Sequence, residues 1–313
     1  MLFGFCCRDF SGNHLIRCKS FSQVEKAPLE IVERAESSNH TVKFANRVFC
    51  GDCLTVLPKN VPPRSIDMIY LDPPFFSGRE YGSSLKLGFD DRWDGEISNF
   101  VSWMRPRLEE CYIVLKDTGS FYLHCNWYAD AHLRILLDEI FRRRIRCEIV
   151  WDKGFRGTRR LKNWQQSHDI ILYYTKSDRF TWNTQFQDYV DREMKRYNKI
   201  DETGRRFALI KRRRTDGTIY YGRTYPKGKS VNDIIRLPLL SATSQERLGY
   251  PTQKPEKLLE ILISASTNPG DVVLDPFCGS GSTLVAAKRM SRRWIGIDVS
   301  KSASRLSLTR LRS

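Results

Sequence analysis

The chain has 313 residues, 41% of them hydrophobic, and carries 52 Lys and Arg against 36 Asp and Glu, a formal charge of +16. That length and apolar content suffice to bury a sizeable core and exclude a disordered chain, and no run approaches the roughly 18 continuous apolar residues that span a bilayer, so no membrane partner is expected. A charge so far from zero argues for a polyanion, nucleic acid first, while nine cysteines in a chain too long to need a disulfide framework point to a reducing interior, cytoplasmic or nucleoid-associated.

Residues 1–40 are basic and poor in acids, without a clean apolar segment or a small-residue cleavage site, and read as an N-terminal extension. "NRVFCGDCLTVL" (46–57) predicts a strand, a turn at Gly51-Asp52 and the start of a helix that Asp52 can cap. Cys50 and Cys53 form a C-x-x-C, but nothing downstream completes a tetrahedral zinc set, so no metal is expected. "SIDMIYL" (65–71) is short, apolar and β-prone, a buried strand. It runs into Asp72-Pro73-Pro74-Phe75-Phe76. In an open α/β sheet, ligands bind outside the C-terminal ends of the strands. Two prolines there stiffen the loop, so that a carboxylate and an aromatic wall are held in fixed relation.

Residues 77–95, rich in Gly, Ser and Asp, predict a long loop over that position, a lid or substrate-binding loop. A helix follows over 96–116, with a kink or break at Pro106. Next come a strand (119–125), an amphipathic helix (129–141) and two further strands (146–152 and 168–176). This alternation predicts an α/β fold, a mostly parallel twisted sheet with helices on both faces.

Between residues 153 and 229 the character changes: 20 Lys and Arg stand against 8 Asp and Glu, densest at Lys211-Arg212-Arg213-Arg214. Trp164, Trp182, Tyr197, Tyr220, Tyr221 and Tyr225 are interleaved, so the segment joins cations for phosphates to flat groups that can stack on bases. Residues 268–300 then read as strand, Gly-containing turn, helix and strand, a βαβ unit able to hold a nucleotide-like ligand. Gly279 and Gly281 let the backbone pass close to a ligand, and Asp298, 17 residues beyond Gly281, is placed to accept hydrogen bonds from ribose hydroxyls. No lysine follows the glycines, which argues against ATP, and Leu284 stands where a dinucleotide fingerprint has its third glycine.

The combination is more specific than any part. "LDPPF" (71–75), "YPTQKP" (250–255), "DPFCGSGS" (275–282) and "GID" (296–298) together resemble the amino-methylating DNA methyltransferases that use S-adenosylmethionine. The order, with the catalytic motif first, the basic segment next and the cofactor glycines last, is that of the permuted β group. The resemblance covers about 46–177 and 249–300. It implies a Rossmann-like methyltransferase fold with a catalytic half over 41–177, an inserted target-recognition region over 178–248 and a cofactor-binding half over 249–313.

By that resemblance, Asp72 and the Pro73 carbonyl accept hydrogen bonds from the exocyclic amine of a base flipped out of double-stranded DNA. Pro74 stiffens the loop and Phe75 stacks on the base. Asp275, Phe277, Gly279 and Gly281 line the methionine and ribose side of the cofactor, Asp298 binds the ribose, Asp52 meets the adenine end, and Thr252 and Lys254 hold the methionine carboxylate. Lys211, Arg212, Arg213 and Arg214 contact DNA, and a homodimer is compatible with the pattern. Family members acting on cytosine N4 more often carry Ser in place of Asp72, which favours adenine N6. Cytosine N4, an RNA substrate and an inert nucleic-acid-binding protein of the same fold stand as alternatives.

Overall fold

The structure, a computed structural model, describes residues 31–32, 44–76, 91, 93–154, 162, 164–187, 191–241, 243–250 and 252–312. Most of the expected N-terminal extension and residues 77–90 of the expected lid loop lie outside the described residues. The first part of the chain forms β1 (Ile31–Val32), β2 (Arg47–Cys50), α1 (Cys53–Asn60), β3 (Ile66–Leu71), α2 (Ile97–Val114), β4 (Leu115–Cys125), α3 (Asp130–Ile140), β5 (Ile145–Asp152) and β6 (His168–Thr175). The basic insertion holds β7 (Phe186–Gln187), α4 (Asp191–Met194), β8 (Lys199–Ile200), β9 (Arg206–Arg213), β10 (Ile219–Thr224), β11 (Lys229–Ser230) and β12 (Ile234–Arg236). The chain then continues through α5 (Glu256–Ser266), β13 (Val272–Asp275), α6 (Ser282–Arg289), β14 (Arg293–Asp298) and α7 (Lys301–Arg312).

Nine strands make one sheet in the order β1-β2-β14-β13-β3-β4-β6-β5-β12. From β2 to β4 the neighbours run parallel. β6 lies antiparallel between β4 and β5, and β1 is antiparallel to β2. The inner strands are apolar on both faces because helices cover both. Ile69, Leu71, Leu274 and Ile295 pack with α1, α2 and α3 through Val56, Phe100, Leu108 and Leu133. Met68, Tyr70, Val273 and Trp294, one residue out of step, pack with α5, α6 and α7 through Leu259, Leu262, Leu284 and Leu308.

Two sequence expectations are corrected here. Pro106 removes one helical donor, yet α2 runs unbroken through it, and the stripe Phe100, Met104, Leu108 and Cys111 is fully buried against the sheet. The strand expected over 119–125 begins at Leu115, directly where α2 ends. The insertion also rejoins the main sheet before residue 249: β12 pairs parallel with β5, and Trp151 Nε1 donates to the Leu237 carbonyl at 2.7 Å.

The connection from β13 through α6 to β14 runs one way along the sheet, and that from β3 through α2 to β4 runs the other way on the opposite face. The crevice between β13 and β3 is therefore a topological switch point, where open α/β sheets place their ligands.

Candidate active site

Four parallel strands end at this edge, and each delivers an acid or the loop that carries one. Asp72 follows β3, Asp275 ends β13, Asp298 ends β14, and Asp52 lies two residues past β2. All four line one cavity of about 1150 Å³, open solvent included. Pro73, Pro74 and Phe75 line it beside Asp72, Phe277 and Gly279 beside Asp275, and Thr252 and Lys254 approach from the loop before α5. Eleven of the twelve residues expected to form the catalytic and cofactor sites thus meet in one place.

The twelfth does not. Gly281 is absent from the cavity wall, and its left-handed conformation (φ +77°) caps α6 where an added Cβ would lie 2.8 Å from Ser307 Oγ of α7. It is a glycine so that α7 can pack on α6. Gly279 does face the cavity, with φ +47° and the Tyr250 ring 3.2 Å from where a Cβ would stand. Its amide donates to Asp298 Oδ2 at 2.9 Å, and Asp298 Oδ1 accepts from Ser300 N at 2.8 Å.

Burial drives the protonation of this wall. Desolvation pushes the Asp275 carboxyl up to about 7 against the opposing pull of Thr283 and the Phe277 amide, and burial likewise raises Asp298. Asp52 does two things at once: Oδ1 caps α1 through Leu54 N at 2.9 Å, and Oδ2 takes Arg107 Nη2 at 2.5 Å. Arg107 is itself buried, with its guanidinium 3.7 Å from the Trp103 ring centre, and Trp103 packs on Phe277 at 5.8 Å. Burial and the neighbouring Asp52 push the Cys53 thiol up to about 12, so it is an inert apolar filler at neutral pH. Among the described residues no three His, Cys, Asp or Glu are grouped to hold a metal.

The Asp72 loop is fixed by a residue the sequence did not single out. The fully buried Asp91 accepts from Phe75 N (3.1 Å), Phe76 N (2.8 Å) and Trp93 Nε1 (2.8 Å), and so holds Phe76 in a left-handed conformation (φ +55°) uncommon for a bulky side chain. Asp72 Oδ2 meets Lys254 Nζ at 2.5 Å, a partner not expected for a lysine assigned to a ligand carboxylate. The same ammonium lies 3.3 Å from the Thr252 carbonyl and 5.1 Å from the Phe75 ring centre. Asp72 Oδ1 is buried, without a hydrogen-bond partner among the described residues, 3.7 Å from His124 Nδ1.

In the insertion, β10, β9 and β8 form a three-stranded sheet, and beyond the two-residue β8 the β9–β10 hairpin runs on as a two-stranded ribbon closed at Asp216-Gly217, where Gly217 takes φ +87° and Asp216 Oδ1 accepts from Thr218 N and Oγ1. Lys211, Arg212 and Arg213 lie on β9, paired with Tyr221, Tyr220 and Ile219, and Arg214 reaches over the Tyr220 ring. All four cations and both tyrosines are exposed. Such a ribbon offers charge for phosphates on a rigid backbone of a width that major grooves admit. Among the described residues no helix is long and apolar enough to cross a membrane.

The model of a family described as DNA methylase, the N6/N4 methyltransferases, matches residues 66–309. DNA adenine methyltransferase YhdJ of Escherichia coli (strain K12) is 31% identical over 268 residues, spanning 85% of this chain and 83% of its own length. The type II methyltransferase M.HpaI of Haemophilus parainfluenzae is 29% identical over 268 residues, 85% of this chain and 74% of its own. Among solved structures, PvuII DNA methyltransferase (cytosine-N4-specific) aligns with a TM-score of 0.57 at 17% identity, over 84% of this chain and 85% of that one. The M1.HpyAVI–SAM complex aligns with a TM-score of 0.53 at 21% identity, over 85% of this chain and 98% of that one. At those identities the structural likeness speaks for the fold.

Proposed function

Because the chain belongs to the N6/N4 DNA methylase family, we propose that it moves the methyl group of S-adenosylmethionine to the exocyclic N6 amine of an adenine swung out of duplex DNA. The observation that carries this reading is Asp72 in the cavity wall at the switch point, its Oδ1 buried and, among the described residues, without a hydrogen-bond partner. An unsatisfied buried acceptor costs about 1–3 kcal/mol, and an amine is the donor that relieves it. An aspartate at this position, together with the adenine methyltransferase among the relatives, supports adenine over cytosine.

The amine lone pair of adenine is delocalised into its ring. Two acceptors, Asp72 and the Pro73 carbonyl, draw the nitrogen toward tetrahedral geometry and stabilise the positive charge that develops on it, which favours the transition state over the ground state. Prolines on either side of the acceptor, and Asp91 gripping the next two amides, hold these atoms in place before the base arrives. Phe75 offers a ring for the base to stack on, and this stacking with the hydrogen bonds must offset the few kcal/mol that base flipping costs.

The cavity fits the cofactor on two observations. Gly279 leaves room that a side chain would take from the Tyr250 ring, and two carboxyls, the buried Asp275 and the half-buried Asp298, line the space with raised proton affinity. Asp298 would hold the ribose hydroxyls, Asp52 the adenine end, and Asp275 the ammonium of the methionine end. Lys254 has three donors, of which Asp72 takes one and the Thr252 carbonyl a second, leaving one for the methionine carboxylate. Bound there, S-adenosylmethionine supplies an electrophilic sulfonium methyl. The β9–β10 ribbon would meet the phosphates and edges of the duplex.

The test is to incubate the protein with unmethylated duplex DNA and methyl-labelled S-adenosylmethionine, digest to nucleosides and identify the labelled one by mass spectrometry. N6-methyladenine is expected. N4-methylcytosine would reverse the base assignment, and label appearing only when RNA replaces DNA would overturn the substrate.

A further inference from the structure

Behind Asp72 lies a buried polar chain that amine recognition alone does not use. The fully buried His124 of β4 receives the Tyr70 hydroxyl of β3 at Nδ1 (2.8 Å) and faces Asp169 Oδ2 of β6 at Nε2 (3.3 Å). Asp169 Oδ1 takes Lys153 Nζ at 2.6 Å. Burial pushes the Asp169 carboxyl up, but His124 and Lys153 outweigh it and hold the group well below the usual carboxylate range. An ionised carboxylate only accepts, so Asp169 places the imidazole proton on Nε2 and leaves a lone pair on Nδ1. That lone pair accepts the Tyr70 hydroxyl at 2.8 Å, and Asp72 Oδ1 stands 3.7 Å from the same nitrogen. With the Tyr70 hydroxyl rotated away, Nδ1 and Oδ1 would be two facing acceptors that one shared proton would bridge.

We propose that His124, positioned by Asp169, takes up through Asp72 the proton that the amine must lose on methylation. This rests on the reading of Asp72 as the amine acceptor. The N–H bonding pair returns to the amine nitrogen and the proton passes to Asp72 Oδ1 and on to His124 Nδ1. The product is an imidazolium flanked by two carboxylates, with the Tyr70 hydroxyl no longer donating to Nδ1. The proton returns through Asp72 to water when the product leaves. Closing 3.7 Å to a hydrogen bond of about 2.9 Å is a tightening of the size that catalytic hydrogen bonds undergo when substrate binds.

The charged and titratable groups facing His124 are Tyr70 and Asp72 beside it on the β3 side, Asp169 from β6 with Lys153 behind it, and Lys254 from the loop before α5. Burial first, and then the charge of Lys254, keep the imidazole below its ordinary value and so neutral and ready to accept, while Asp169 and Asp72 act in the opposite sense. A purely structural His–Asp bridge between β4 and β6 would not couple to the pH dependence of transfer.

His124→Gln, Asp169→Asn and Tyr70→Phe would be compared with wild type in single-turnover methyl transfer to duplex DNA between pH 5 and 9, with S-adenosylmethionine affinity as the check on folding. The wild-type rate should fall on the acid side as the imidazole protonates. In His124→Gln the rate should drop about 10²- to 10⁴-fold and that acid limb disappear, with cofactor affinity within about threefold. In Asp169→Asn the limb should move to lower pH, since a carboxylate that raises the imidazole's basicity is gone. Histidine ¹⁵N NMR of the ligand-free protein should show a neutral Nε2–H tautomer for His124, and a tautomer mixture in Asp169→Asn. Transfer by His124→Gln at the wild-type rate across the range, an acid limb unmoved by Asp169→Asn, or an Nδ1–H tautomer would overturn the proposal. If His124→Gln does not fold, Asp169→Asn and the NMR decide. A wild type that methylates no DNA base would instead overturn the reading of the site.

Discussion

Asp275 shows how burial converts into a measurable pH dependence. Its carboxyl is pushed up to about 7, whereas in the unfolded chain it titrates near the ordinary value of about 4. Between those values the native state holds a proton that the unfolded state has released, so Asp275's contribution to stability falls as pH rises from about 4 to 7. A cation bound beside it favours the ionised form. S-adenosylmethionine affinity should therefore rise from pH 5.5 to 8 with release of a proton, measured by calorimetry in buffers of different ionisation enthalpy, and Asp275→Asn should flatten that rise. Affinity flat with pH in the wild type would contradict Asp275 as a partner of the cofactor's cationic end. At this scale the acids Asp72, Asp275 and Asp298 were legible because each ends an apolar run. Asp91, His124 and Asp169 were not, because nothing local marks them: Asp91 meets the Phe75 and Phe76 amides 16 and 15 residues away, and His124 meets Tyr70 across 54 and Asp169 across 45.

Turns and helix starts separate the two glycines that the sequence treated alike. Gly281 needs its left-handed backbone and the space that Ser307 fills, so Gly281→Ala should destabilise the fold by about 1–3 kcal/mol, read as a lower denaturant midpoint. Gly279→Ala should cost cofactor affinity more than stability, since its neighbour is the Tyr250 ring at the cavity. The opposite ranking would assign the two glycines the other way round. The strands and helices around the motifs were readable because their apolar periods match the packed faces. The register of β6, antiparallel between β4 and β5, was not, since a strand buried on both faces reads the same in either direction. The two-residue strands β7, β8 and β11 are too short to leave any period.

For the molecule as a whole, composition announced a polyanion and the 153–229 segment located the charge, but only the fold lifts Lys211 to Arg214 onto an exposed ribbon. Each phosphate that a protein cation neutralises contributes about −0.9 to the slope of log affinity against log salt. Replacing the four cations with Ala should weaken DNA binding and make that slope less negative by about 0.9 for every phosphate left without its cation, with S-adenosylmethionine affinity unchanged. An unaltered slope would move the DNA-binding surface elsewhere. The central proposal, that Asp72 accepts the amine at the switch point, is tested most directly by Asp72→Ala. Cofactor affinity, DNA affinity and single-turnover methyl transfer would be measured side by side on the same preparation. Both affinities should stay within about threefold of wild type while transfer is abolished, a loss of at least about 10³-fold; transfer at the wild-type rate would contradict it.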